Sequence, residues 1–269
     1  MKIIFSLFAA SLLLFSSCSQ KVAKRGSSNL KNAEIKVLTY NIHHANPPSK
    51  EGLIDIDAIV NVIKKQDPDV IALQELDKFI ARSGNEDQAK IIAEKTGMNY
   101  RFFKAIEYAG GEYGVGILSR WPLKNAKQIV LPKATEKLET RTLAYAEFEH
   151  PNGQKFTFAC THLCVGGEES RVMQVKAIQE ELAPIKHPVI LCGDLNSSQG
   201  SASITLLQKQ YKNSCTDNCG FTIPAVNPKK NIDFILTKNA DWQVKHYEVV
   251  DESYASDHRP VAATFSITR

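Results

Sequence analysis

Short apolar runs rich in β-branched residues recur along the chain, separated by stretches whose apolar residues return every three or four positions. EIKVLTYNI (34–42) is such a run and predicts a buried strand. In DIDAIVNVIKKQ the residues Ile56, Ile59, Val60 and Ile63 share one face. That spacing predicts a helix with Asp55 as N-cap, stopped by Pro68. VIALQE (70–75) predicts the next strand, and NEDQAKIIAEKTG a second helix closed by Gly97. NYRFFKAIE and YGVGILS read as strands. RTLAYAEFEH and QKFTFACTHL flank Pro151-Asn152-Gly153, a hairpin signal because Asn-Gly suits the primed turns. A third helix, from Glu168 to Leu182, sets Val172, Val175, Ile178 and Leu182 on one face; PVILCGDLN, NIDFILT, WQVKHYEVV and PVAATFSI complete the strands. No Pro/Gly-rich linker divides residues 33–269. Strand–helix units mixed with long hairpins therefore predict one α/β domain, a four-layer sandwich of two packed mixed sheets with helices outside.

Composition narrows the class. With 43 % hydrophobic residues the chain of 269 is too apolar for disorder, and 14 Gly and 11 Pro are too few for a fibrous sequence. A formal charge of +4 suits an anionic ligand and is too weak for a broad grip on nucleic acid. Met1-Lys2 precedes an apolar run (3–15) too short to span a membrane comfortably, the pattern of a secretory signal. LFSSC, ending at Cys18, is similar to a bacterial lipobox, with Phe15 where Leu is usual. The alternative is an ordinary cleaved signal with an unrelated Cys. The expected organisation is a signal at 1–17, lipidated Cys18 opening a flexible tether at 18–32, and a catalytic domain at 33–269. The expected address is extracytoplasmic, on a periplasmic or outer-membrane surface. Of the other five Cys, Cys215 and Cys219 can close a small disulfide in an oxidising compartment. Cys160 and Cys192 read as small buried hydrophobes, and the absence of CxxC argues against zinc.

Polar residues gather where apolar strands end: Asn41, Glu75, His162, Asp194 with Asn196, Asp233, and Ser256-Asp257-His258 before the last strand. A single carboxylate at a strand end is usually a solvated cap, and a single His usually structural. Six such clusters, all where sheets deliver side chains to one rim, point to a site.

The ordered set LTYNIHH, ALQELD, RSGNEDQ, GGEYGVGILSR, ACTHL, LCGDLN, NIDFIL and SDHRP resembles the endonuclease/exonuclease/phosphatase superfamily, the DNase I-like fold, from Ile35 to Phe265. The resemblance implies phosphoester hydrolysis with Mg²⁺, or Mn²⁺ in its place, held by Glu75 with Asn41 and Asp257. It makes His258 the catalytic imidazole, oriented by Asp233, and gives Asp194 the attacking water. Asn196 and His162 then hold phosphate oxygens through an in-line displacement. Whether Asp194 or His258 takes the water's proton stays open. Arg82, Arg141, Tyr113 and His43 are expected at the substrate; for the arginines the alternative is a bridge to a neighbouring carboxylate such as Glu139. Gln88 and Tyr113 also fit as supporting packing, and His44 reads as structural. The absence of a Pro-Asn pattern after His162 argues against the abasic-endonuclease branch. The motifs are more similar to an exported branch related to sphingomyelinases, whose members often read YGN where this chain has Tyr113-Gly114-Val115. No apolar hairpin for lipid insertion is evident. The substrate expected is a phospholipid headgroup or other small phosphodiester, acted on by a monomer. An extracytoplasmic nuclease and a non-catalytic binding module are the competing readings.

Overall fold

Alternate residues of β1 (Ala33–Asn41) enter different cores in the computed structural model, which describes residues 33–267. Ile35 and Val37 enter a core between two sheets, whereas Leu38 and Tyr40 pack under helices. The same division repeats on every central strand, because side chains of a strand alternate between faces.

The first sheet runs β11 (Gln243–Val249), β12 (Val261–Ile267), β1, β2 (Val70–Lys78), β4 (Gly111–Ser119) and β3 (Asn99–Tyr108). The second runs β5 (Lys124–Leu131), β6 (Arg141–Glu149), β7 (Lys155–His162), β8 (Val189–Asp194), β10 (Asp233–Lys238) and β9 (Lys212–Asn213). Each sheet has one parallel pair at its centre, β1 with β2 and β7 with β8, flanked by antiparallel neighbours. The helices α1 (Ile56–Gln66) and α2 (Gln88–Thr96) cover the outer face of the first sheet. On the second sheet that place is taken by α3 (Glu168–Glu181) and α4 (Ala202–Leu207). The expected four layers are present. Phe148, Phe156, Phe158, Trp242 and Phe265 fill the space between the sheets, each burial stabilising by about 2 kcal/mol or more.

Local signals act as read. Asp55 accepts the Ala58 N–H at 2.9 Å, and Asp87 caps α2 through the Lys90 N–H at 3.0 Å. Gly97 closes α2 in the left-handed conformation. The hairpin forms, with a different turn. His150 and Gln154 pair across a three-residue loop, and Gly153 takes φ 87° after Pro151 and Asn152. Pro151 presets the first position of a type I turn, so Gly153 becomes a bulge residue rather than half of a primed turn. β5, α4 and β9 went unpredicted. β5 is an edge strand whose sequence KNAKQIVL is half polar and mostly exposed, and the other two are short. Cys215 and Cys219 are disulfide-bonded, and Cys160, Cys164 and Cys192 are free and buried. The signal segment, Cys18 and the tether lie outside the described residues. Among the described residues no helix is long and apolar enough to cross a membrane.

Gly193 lets β7 and β8 close up beside the rim. Its φ is 147°, and a Cβ there would stand 1.9 Å from the Thr161 carbonyl oxygen. Gly193→Ala is expected to cost about 3 kcal/mol or more in urea unfolding, because neither backbone can yield. An unchanged midpoint would contradict this account of the strand pair.

Candidate active site

The alternation that builds the inter-sheet core continues past its apolar part and delivers the polar residues. On β7 the series Phe156, Phe158, Cys160 leads to His162; on β8, Ile190 and Cys192 lead to Asp194. His162, Asp194 and Asp233 are direct register partners across β7, β8 and β10, so they form one row at the rim. Facing them, the β1 series Ile35, Val37, Thr39 ends at Asn41. Beneath Asn41, Thr39 bonds Gln74, whose Nε2 donates to Cys160 Sγ at 3.4 Å, making a polar tie between the sheets.

Glu75 reaches the rim by another route. Parity would turn it toward the helices, but the β2 register shifts between Leu73 and Leu76, and Glu75 takes φ 59°. Leu73 and Leu76 then both lie in the helix-facing core, three positions apart instead of two. The extra residue is a bulge, a device that re-aims a side chain.

Asp194 is the meeting point of these elements. Its Oδ2 accepts from Asn41 Nδ2 at 3.1 Å and lies 3.4 Å from His162 Nε2 and 3.7 Å from His258 Nε2. Its Oδ1 accepts the Asn196 N–H at 2.8 Å. Asn196 itself sits at φ 48° with Nδ2 donating to the Leu163 carbonyl. Asn41 Nδ2 also donates to Glu75 Oε1 at 3.0 Å, while its Oδ1 accepts the His43 N–H, which fixes the amide's orientation. His258 Nδ1 lies 2.9 Å from Asp233 Oδ2. Ser256 ties the last loop down, donating to the Asn41 carbonyl at 2.7 Å and accepting the His258 N–H.

The electrostatics set these groups apart. Burial opposes charge on His258, but Asp233, Asp194 and Asp257 outweigh it and raise its pKa to about 10. Burial likewise opposes ionisation of Asp194, yet His162, His258 and the Asn196 N–H hold its carboxyl well below the usual range. Glu75 is lowered despite burial by His162, Asn41 and His258. Asp233 moves the other way, raised by burial and by the charge of Asp194 against the pull of His258.

The remaining expected residues divide. Arg82 forks onto Asp77 at 2.7 and 2.8 Å and stacks on Tyr108 and Tyr113, with its guanidinium carbon 4.9 and 5.8 Å from the ring centres. Arg141 makes the bridge to Glu139 Oε1, at 2.8 Å, and also bonds His162 Nδ1 at 2.9 Å. Tyr113 is buried between Glu75 and Arg141. His43 bonds the Asn46 carbonyl through Nδ1, and His44 is pushed down to about 4 by burial and Arg82, hence neutral. Gln88 proves to be a brace: it accepts the Asp77 N–H and donates to the His44 carbonyl. Asp257 lies in the loop tied by Ser256, its carbonyl accepting the Ala225 N–H. Sequence reasoning had singled out neither Asp77, the clamp on Arg82, nor Ser256 as a tie, although both stand inside quoted motifs.

A profile described as Endonuclease/Exonuclease/phosphatase family matches residues 38–258, from the core of β1 to His258. The chain belongs to this family. The structure is similar to that of an endonuclease/exonuclease/phosphatase family protein from Bacteroides thetaiotaomicron (TM-score 0.73, 19 % identity, 88 % of this chain and 99 % of that one). It is also similar to a mannosyl-6-phosphatase of the same organism (TM-score 0.72, 20 % identity, 87 % and 100 % covered). A third similar structure is D. rerio TDP2 complexed with a single-strand DNA product (TM-score 0.66, 20 % identity, 87 % and 100 % covered). The comparison with curated protein sequences finds no match. The chain is thus a phosphoester hydrolase of the endonuclease/exonuclease/phosphatase superfamily, with the DNase I-like fold.

The donor set fits the divalent cation of that chemistry. Glu75 and Asp194 converge on one amide nitrogen of Asn41, and no thiolate is near their oxygens among the described contacts. Hard carboxylate and carbonyl oxygens suit Mg²⁺ or Mn²⁺. Asp194, Asp233 and His258 also bring donor atoms within 4.8 Å of one another. A His258 protonated to about pH 10 and committed to Asp233 is a poor ligand, which leaves Glu75 and Asn41 as the better holders.

Asp233→Asn removes the largest support of the imidazolium. His258 is expected to titrate well below 10, toward its ordinary range, in an NMR pH titration of the metal-free protein. A titration unchanged from wild type would contradict the pairing.

Proposed function

We propose that this protein is an extracytoplasmic, divalent-metal-dependent phosphodiesterase that cleaves a phospholipid-headgroup-like or other small phosphodiester by in-line attack of water. The observation that carries the reading is Asp194: one buried carboxylate touching both imidazoles and the Asn41–Glu75 pair. Glu75, Asn41 Oδ1 and Asp257 would hold the cation. When bound, Mg²⁺ or Mn²⁺ polarises the phosphoryl group and offsets its charge.

The side chains supply the rest. Ionised Asp194 orients the water and is the proton acceptor, because His258 is already protonated and has no free nitrogen to serve as base. His258 Nε2–H donates to the charge-rich transition state, steadied by Asp233. Asn196 and His162 bind phosphoryl oxygens. Arg82, held by Asp77 and stacked on Tyr108 and Tyr113, is a preorganised donor for the rest of the substrate.

Two features favour a lipid headgroup. Leu53, Phe79, Val165, Phe221 and Val226, on loops at the rim, and Tyr108, the last residue of β3, are from 44 to 67 % exposed. In place of the absent apolar hairpin, the rim itself offers scattered apolar contacts. The Cys215–Cys219 disulfide suits the oxidising side of a membrane, in line with an anchor at Cys18. The nuclease reading draws on the single-strand DNA product in the TDP2 relative and on Lys229 and Lys230 beside Phe221 and Val226.

The chain from residue 30 onward, assayed with Mg²⁺ or with EDTA, is expected to hydrolyse sphingomyelin, phosphoinositide or a generic phosphodiester ahead of a phosphomonoester, DNA and RNA. No metal-dependent hydrolysis of any of them would favour the binding module, and preference for DNA or RNA the nuclease. On the best substrate, Asp194→Ala and His258→Ala should each lower kcat by a factor of about 10² or more. Near-normal turnover by either variant would remove that residue from the mechanism.

A further inference from the structure

The two imidazoles beside Asp194 are held by opposite kinds of partner at the same atom and the same distance. His258 Nδ1 lies 2.9 Å from the Asp233 carboxylate, His162 Nδ1 2.9 Å from the Arg141 guanidinium. A guanidinium has donors only and keeps its charge, so His162 Nδ1 must be the acceptor. The ring's one proton is then on Nε2, the nitrogen 3.4 Å from Asp194 Oδ2. A second proton on Nδ1 would set an imidazolium N–H against a guanidinium N–H.

We propose that Arg141 is a positioning residue: it fixes His162 as the neutral Nε2–H tautomer, so that this ring serves the reaction as a hydrogen-bond donor and carries no proton to or from it. The role rests on the phosphodiesterase reading for its catalytic consequence, while the tautomer itself does not. Arg141 is built for it. Only 6 % exposed, it stands at the first residue of β6, with Glu139 at 2.8 Å on the atom that also meets His162 and the Tyr113 hydroxyl bonded to its guanidinium. A guanidinium so enclosed acts on His162, whereas Arg82, a third exposed, is the arginine left to meet substrate. The two rings thereby divide the work. His258 brings a positive charge, and His162 a neutral donor whose direction is set from behind.

Two measurements test this. In ¹⁵N-histidine NMR of the wild-type protein, with His162 assigned by its loss in His162→Ala, an acceptor-type Nδ1 and a protonated Nε2 are expected at pH 7. Arg141→Lys, which keeps a donor, should preserve the pattern, and Arg141→Met should let the tautomers mix. A wild-type ring protonated on Nδ1, or on both nitrogens, overturns the proposal whether or not any substrate has been found. On the best phosphodiester, Arg141→Met should lower kcat about 10²-fold with KM little changed, yet cost almost nothing further in a His162→Ala background. Additive losses, or an effect confined to KM, would mean that Arg141 binds substrate directly. If Arg141→Met does not unfold cooperatively, the wild-type spectrum decides alone.

Discussion

Asp194 is an ionised carboxylate with almost no access to solvent, at the seam where two sheets meet, and that position constrains everything around it. Leaving such a charge unpaired costs several kcal/mol, so its oxygens must be satisfied from within. The first sheet contributes Asn41, the second the Asn196 N–H and His162, and the loop before β12 contributes His258. Apart from the Asn196 N–H, two residues on, these groups are distant from Asp194 in sequence; Asn41 and Asp194 are 153 positions apart. The aromatic layer between the sheets and the Thr39–Gln74–Cys160 tie set the spacing at which they meet. The site is therefore an extension of the core rather than an addition to it.

That continuity explains how much was legible in the sequence. Asn41, His162, Asp194 and Asp233 follow from strand parity, because the first three end, and Asp233 begins, a largely apolar series that faces the opposite sheet. Helix caps at Asp55 and Gly97 were equally readable, being decided by a few neighbouring atoms. Glu75 was found by its place at the end of an apolar run and by motif, not by parity, which turns it the wrong way; no composition signal announces the bulge that corrects it. The partners of the arginines were legible only in part. Asp77, five residues from Arg82, and Glu139, two from Arg141, are near in sequence, whereas His162 meets Arg141 only because β6 pairs with β7. β5 escaped because an edge strand with exposed faces need not be apolar.

The rim also concentrates backbone strain. His43, His44 and Ala45 take three successive left-handed conformations, and Glu75, Phe79 and Asn196 are left-handed too. For non-glycine residues each costs about 1 kcal/mol or more. The left-handed turn brings the His43 N–H onto Asn41 Oδ1, and the bulge at Glu75 brings its carboxylate onto Asn41 Nδ2. Asn41 is thereby held from both ends of its amide, and Gln88 locks the turn from outside. The strain is the cost of aiming two side chains at one point, and the rigid sheets beneath absorb it.

Charge gives the arrangement its last requirement. Glu75, Asp194 and Asp233 converge on a seam where His258 is held protonated, and Arg141 is already matched by Glu139. Carboxylates therefore outnumber cations at the place where a phosphoester must arrive, and an anion approaching them is repelled. A divalent cation held on the oxygens of Glu75 and Asn41, as proposed, would reverse that balance locally. The small positive excess of the whole chain cannot do this, being spread over the surface rather than gathered at the rim. On the proposed reading, phosphate attraction would thus be a property of the loaded seam, and cation binding a condition for substrate binding as well as for the chemical step.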